Sequence, residues 1–223
     1  MENTNTFSVG DIVTLKSHPL FNEKIKKIAC FPAHVPPLML IKEVIFELKD
    51  KKQIFSNEIN KAQIADLVKY HCVFFNTNKS VFEVKTIYHS LLESYKELKY
   101  YKETDKGKKV FSDKKLIEEV LNYKNVFDYL YGDVVQFKTK KLEQRKSYES
   151  TFEKIPGNTY QTPDFILSGI KNEPQIDLYY KNGDKKRIIS SQLYKVMWFN
   201  HFQQKFSEEY LPKEFFVKEL EIN

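Results

Sequence analysis

Only two cysteines, Cys30 and Cys72, occur in 223 residues. They lack the paired spacing of a disulfide framework or a zinc finger, so reduced thiols in a bacterial-type cytoplasm are expected. Glycine is nearly as scarce: Gly10, Gly107, Gly132, Gly157, Gly169 and Gly183 are too scattered for a loop that cradles phosphate. Arg145 and Arg187 are the only arginines, which leaves little means for bidentate reading of guanine. No run approaches the roughly eighteen apolar residues of a membrane span. The start, Met1-Glu2-Asn3-Thr4-Asn5-Thr6, lacks the basic and apolar regions of a signal peptide. A cytoplasmic protein without membrane association is expected.

The chain is 41% hydrophobic and 30% charged, a balance typical of a globular protein with a substantial core. Its formal net charge is +6, almost all of it from lysine. A lysine-rich surface attracts phosphate without reading sequence, and Lys138, Lys140, Lys141, Lys185 and Lys186 are the candidate phosphate contacts. The abundance of Lys, Asn, Ile, Phe and Tyr is also what an AT-rich coding genome produces.

The most telling feature is an internal echo. Gly10-Asp11-Ile12-Val13-Thr14-Leu15-Lys16-Ser17 returns as Gly132-Asp133-Val134-Val135-Gln136-Phe137-Lys138-Thr139. Pro37 to Val44 is answered by Pro163 to Ile170. A third echo pairs Val73-Phe74-Phe75 and Val84 to Leu91 with Leu178-Tyr179-Tyr180 and Ile189 to Val196. Three echoes in one order imply two copies of a small β-unit.

Within each copy the expected order is strand, long connection, strand and hairpin. Asn182-Gly183 predicts a two-residue type I′ hairpin tip between Ile176 to Tyr180 and Lys185 to Ile189. Helices are expected at about 57 to 69, after Ser90-Leu91-Leu92-Glu93, which has capping-box spacing, and at Asp113 to about Tyr123. Trp198, Phe199, Phe202 and Phe206 recur at helical spacing, which predicts an aromatic C-terminal helix packed on its unit, with an exposed partner-docking face as the alternative. Tyr179, Tyr180 and Trp198 are candidates for stacking on single-stranded bases.

The Gly10 to Ser17 strand, the Pro37 to Val44 segment, and Cys72-Val73-Phe74-Phe75 with Leu91-Leu92 closing the unit resemble the YodC-like family of small bacterial proteins. The resemblance implies an SH3-like barrel and no catalytic motif. In that family the lysine strand runs almost directly into the Pro-Leu-Met segment, whereas a long insertion separates the two here.

The expected fold is therefore mainly β with flanking helices, an α+β arrangement of two tandem SH3-like small β-barrels. Residues 7–92 would form the first barrel, 93–129 a helical linker, 130–198 the second barrel and 199–223 an aromatic helical tail. His18, Cys30, His34, His71 and Cys72 have the residue types of a zinc site but not its spacing, so no metal is expected. A cysteine–histidine nucleophile is likewise only formal. Asp11 and Asp133 follow glycine at strand entry in both copies, where an Asp side chain caps a turn.

With no catalytic residues and no cofactor expected, the function read from the sequence is non-enzymatic: an adaptor that recognises a protein partner, with Phe31, Phe152 and Phe215 as apolar anchors. The alternative is a nucleic-acid-binding protein with lysine–phosphate contacts.

Overall fold

A computed structural model describes residues 6–18, 36–48, 66–94, 100–103, 109–112, 129–140, 149–150, 153–154 and 162–218. The chain is mainly β. Its first unit comprises β1 (Ile12–Leu15), β2 (Met39–Phe46), β3 (Val68–Asn76), β4 (Val81–Tyr88), a 3-10 turn (His89–Leu91) and β5 (Leu92–Ser94). Two short hairpins, β6 (Tyr100–Glu103) with β7 (Lys109–Ser112) and β9 (Glu149–Ser150) with β10 (Glu153–Lys154), flank β8 (Val134–Phe137) in sequence. The second unit continues from β8 through β11 (Asp164–Asn172), β12 (Arg187–Ile189), β13 (Gln192–Asn200), β14 (Lys205–Pro212), a 3-10 turn (Lys213–Phe215) and β15 (Phe216–Lys218).

Both large sheets are antiparallel, and their orders match: β4-β3-β2-β1-β5 in the first, β14-β13-β11-β8-β15 in the second. The register matches too. Ile12 faces Leu40 and Leu40 faces Val73, as Val134 faces Ile166 and Ile166 faces Met197. Phe75 faces Phe82 as Phe199 faces Phe206. A bulge between Ile41 and Glu43 recurs between Leu167 and Gly169. Neither sheet closes into a barrel through the described pairings, since β4 and β5, like β14 and β15, remain at opposite ends.

The Gly-Asp motif opens both units by one mechanism. Gly10 and Gly132 have φ of 80° and 89°, a region glycine enters without Cβ strain. Their amides donate to the Ile41 and Leu167 carbonyls, each at 2.8 Å. The Asp11 and Asp133 carboxylates accept from the Ser8 and Leu130 amides at 2.9 and 3.0 Å, the turn-capping role their position predicts.

Several expected elements differ. The third echo is displaced: β3 and β4 are matched in topology and register by β13 and β14, not by residues 178–196. Residues 199–223 therefore do not open as a helical tail, and the second unit runs on to Lys218. A hairpin mimics helical spacing here because folding back brings Phe199 opposite Phe206. The Ser90 capping box does not start an α-helix, since Leu92–Ser94 is drawn into pairing with the edge of β1. The end of the helix expected at 57 to 69 is extended from Val68 onward. Asp66 and Leu67 before it are in neither helix nor strand, and residues 57–65, like the helix expected from Asp113, lie outside the described residues.

At Asn182-Gly183 a hairpin does form, with Gly183 at φ 86°. Its loop has three residues, because Gly183 N donates to Tyr180 O and Tyr180 N to Asp184 O, while Asn182 lacks the positive φ that a type I′ turn demands. This hairpin is an arm inserted between β11 and β13. Its strand β12 pairs with the first sheet, where Glu43 to Ile45 of β2 continue past the end of β1.

Alternation along the strands sorts residues onto two faces per sheet. The inner face of the first sheet gathers Val13, Met39, Ile41, Val44, Tyr70, Cys72 and Leu92 into one core. Its outer face, with Ile12, Leu38, Leu40, Val73, Phe75 and Phe82, packs into a second core. That core is completed by the inner face of the second sheet, including Phe137, Phe165, Leu167, Val196, Trp198 and Phe216. The first sheet is thus buried on both faces, which explains the continuous apolar run Leu38-Met39-Leu40-Ile41.

Candidate interaction surface

Among the described residues, the packing of one unit on the other leaves the outer face of the second sheet without a counterpart. The row Ile12, Leu40, Val73, Phe75 and Phe82 of the first sheet is buried. The register-equivalent row is Val134, Ile166, Met197, Phe199 and Phe206. There Val134 is 46%, Ile166 44%, Phe199 48% and Phe206 70% exposed, and Met197 is half-buried. Apolar residues scattered singly on a surface are ordinary, but a register-aligned row is a contiguous patch of the kind that marks an interaction site.

Local structure holds this face firmly. The Phe199 and Phe206 rings meet edge to face at 5.5 Å across a directly paired position of β13 and β14. Beneath them, Trp198 points inward and donates its indole N–H to the Ser80 carbonyl at 2.9 Å. Asn200 Nδ2 donates to the same carbonyl at 3.0 Å, so the end of β13 grips the β3–β4 turn of the first unit. Two ion pairs lie on the face, Lys195 with Glu208 and Lys140 with Asp164, while the buried Gln136 Oε1, opposite Asp164 in the register, has no hydrogen-bond partner among the described residues. The Glu208 hydrogen bond raises the Lys195 pKa, and the Lys195 hydrogen bond lowers that of Glu208. Both therefore keep opposite charges across the neutral range.

A second polar constellation joins the units on the other side. Glu43 accepts from Arg187 Nη1 at 3.3 Å and lies 3.0 Å from His71 Nδ1. The His71 hydrogen bond is the chief cause holding the Glu43 carboxyl below its ordinary value; burial opposes it, and the charges of His71 and Arg187 add to it. Tyr180 donates to the Phe46 carbonyl at 2.6 Å, completing a clasp between the arm and β2. Beside the clasp is an open cavity of about 290 Å³, with Lys42, Lys171 and Tyr210 on its wall. A larger depression of about 500 Å³ lies near Phe7, Asp11, Lys16 and His89.

The residues singled out in the sequence fall in different places. Phe215 is fully buried and meets Phe137 edge to face at 5.8 Å, so it is a core residue rather than an accessible anchor. Phe31, Phe152 and Lys141 lie outside the described residues. Lys138 donates to the Gly10 carbonyl at 3.1 Å, Lys140 pairs with Asp164, and Lys186 pairs with Asp177. Lys185 is exposed.

The thiol of Cys72 is buried and pushed up to about 12, unsuited to a thiolate nucleophile. Burial lowers His18 to about 4. Among the described residues no group of three or more His, Cys, Asp or Glu is placed to hold a metal ion. Among the same residues no helix is long and apolar enough to cross a membrane.

Phe199 and Phe206 were visible in the sequence as part of an aromatic stripe, with docking as the alternative to packing. Val134, Ile166 and Met197 were not singled out. The signal that finds them is the repeat itself, once its third echo is set in the register of β13 and β14. Comparison with protein-family models, curated proteins and solved structures yields no match to this chain.

Proposed function

We propose that this chain is a non-enzymatic protein-binding module built from two SH3-like units, and that the outer face of its second sheet is the recognition surface. The SH3-like reading, and with it the resemblance to the YodC-like family, is supported by the strand order, by a 3-10 turn before the last strand and by the return of that strand to pair with the first. The observation that carries the functional reading is the contrast between Ile12, Leu40, Val73, Phe75 and Phe82, which are covered, and their open equivalents in the second sheet. Aromatic side chains at the centre of an apolar patch are the usual anchors of protein interfaces.

Nucleic-acid binding is the weaker reading, because Lys138, Lys140 and Lys186 are already engaged by protein groups. The test compares the wild-type chain with a Phe199→Ser/Phe206→Ser variant, both as bait in the native host and against a generic single-stranded oligonucleotide over a salt series. The expected outcome is a protein contact that survives moderate salt and is lost in the variant, with weak oligonucleotide binding. Tight oligonucleotide binding at physiological salt, steeply salt-dependent and unaffected by the double substitution, would reverse the ranking.

A further inference from the structure

We propose that the occupant of this open face is a second copy of the chain, docked back to back about a two-fold axis. The inference rests on the protein-binding reading and names its partner. The molecule already contains the precedent: the same register positions in the first sheet form an apolar face that is covered by another sheet. A further sheet is thus the type of surface this pattern accepts.

Head-to-tail repetition of the internal contact would require an open inner face on an incoming copy. Among the described residues neither sheet offers one. The inner face of the second sheet is filled by the first unit, and that of the first sheet is packed by Phe7, Leu15, Phe46, Phe74, Ile87 and Ile188. An open-ended stack is therefore blocked, which leaves the isologous arrangement in which the patch meets its own copy and closes.

Charge points the same way. With a net charge of +6, two copies repel over most approaches. On this face Lys195 is neutralised by Glu208 and Lys140 by Asp164, and Lys171, near the end of β11, lies over the Tyr210 ring at 4.2 Å, so around the apolar row apposed copies set ion pairs rather than lone like charges against each other.

The test is the solution mass of the full chain, by sedimentation velocity and light scattering, from low to high micromolar protein at moderate and high salt. The wild type is expected to rise toward twice its 26.6 kDa mass and not to dissociate at higher salt. Phe199→Ser/Phe206→Ser and, separately, Ile166→Lys should remain at the single-chain mass with the near-ultraviolet circular dichroism of a folded chain, and should lack the rise of the unfolding midpoint with protein concentration that association gives the wild type. All three side chains are exposed in the single chain, so their replacement leaves the fold intact.

A wild type that stays at 26.6 kDa throughout, or folded variants that double as readily as the wild type, would overturn the proposal. If the wild type is monomeric yet captures another protein that the double variant does not, self-association fails while the recognition surface stands. If the monomeric wild type and the variant capture the same proteins equally, both fail.

Discussion

The two sheets carry the same strands in the same order and register, yet the first is buried on both faces and the second exposes part of its outer face. Their inner faces differ little in character: Val13, Ile41, Tyr70 and Cys72 correspond to Val135, Leu167, Tyr194 and Val196, all buried. The two units share the element that folds. What differs is context, because one unit supplies the cover for the other and, among the described residues, has none for its own outer face. The outer rows have nonetheless kept their apolar character, with Phe75 and Phe82 matched by Phe199 and Phe206. A sheet face fully exposed to water favours polar residues, so the apolar row on the uncovered sheet is in keeping with the proposed binding surface.

The largest test of the comparison uses neighbours on opposite faces. Trp198→Ala should destabilise by about 3–5 kcal/mol, through loss of core volume and of the bond to Ser80. Phe199→Ala should cost only about 1 kcal/mol when measured on the single chain, from the cross-strand ring pair with Phe206. Guanidinium unfolding of the two variants checks both values, and equal losses would mean that the two faces are alike.

Acid should then separate the units. His18 of the first unit occupies the place held in the second by Lys140, reckoned from the aligned Gly-Asp motifs. Burial lowers His18 from 6.5 to about 4, so between those values the unfolded chain binds the extra proton. Stability is full above pH 6.5 and falls as pH drops toward 4, by roughly 3 kcal/mol at most. His18→Gln should flatten the pH dependence of the unfolding midpoint across that window. The Glu43 contribution, from a carboxyl whose pKa is lowered from 4.5, is full above that value and is lost only as pH falls through the lowered one. Glu43→Gln should therefore lower stability evenly above that value and flatten only the more acidic part of the profile.

The paired glycines sharpen the contrast further. Gly10→Ala and Gly132→Ala should each cost about 1–2 kcal/mol for a left-handed backbone. Gly10→Ala should cost more, because its Cβ would lie 2.5 Å from Glu214 Cβ and 3.1 Å from the Glu214 carbonyl oxygen, whereas nothing lies within 4 Å at Gly132. Equal costs in urea titration would argue against the contact between units at Glu214. In the arm, Gly183→Val should destabilise by roughly 1 kcal/mol or more. An unchanged midpoint would count against its left-handed turn.

What the sequence made legible were features with local chemistry. Gly-Asp turns, proline-bounded strands and the glycine of the arm hairpin all declare themselves through backbone requirements of a few residues. The β13–β14 hairpin has no such sign: its turn ends at Gln204 with φ 51°, just as the β3–β4 turn ends at Ser80 with φ 53°. Neither residue advertises that conformation, and the conspicuous Asn182-Gly183 pair drew the third echo into the arm instead. Phe215 illustrates the limit for the site, since its exposure depends on strands far away in sequence; the equivalent Leu91 is exposed while Phe215 is buried. Aromatic content marked the region of the candidate surface, but which rings face outward follows only from register.

The stacking of the first unit on the second is tested most directly by a double-mutant cycle between Phe82 and Trp198, whose rings meet edge to face at 5.4 Å across the two units. Phe82→Leu, Trp198→Leu and the double variant would be unfolded in denaturant at a protein concentration where the chain is single. The expected coupling energy is about 1 kcal/mol, the range for a buried aromatic pair. Strictly additive losses, with no coupling between the two positions, would contradict the shared core.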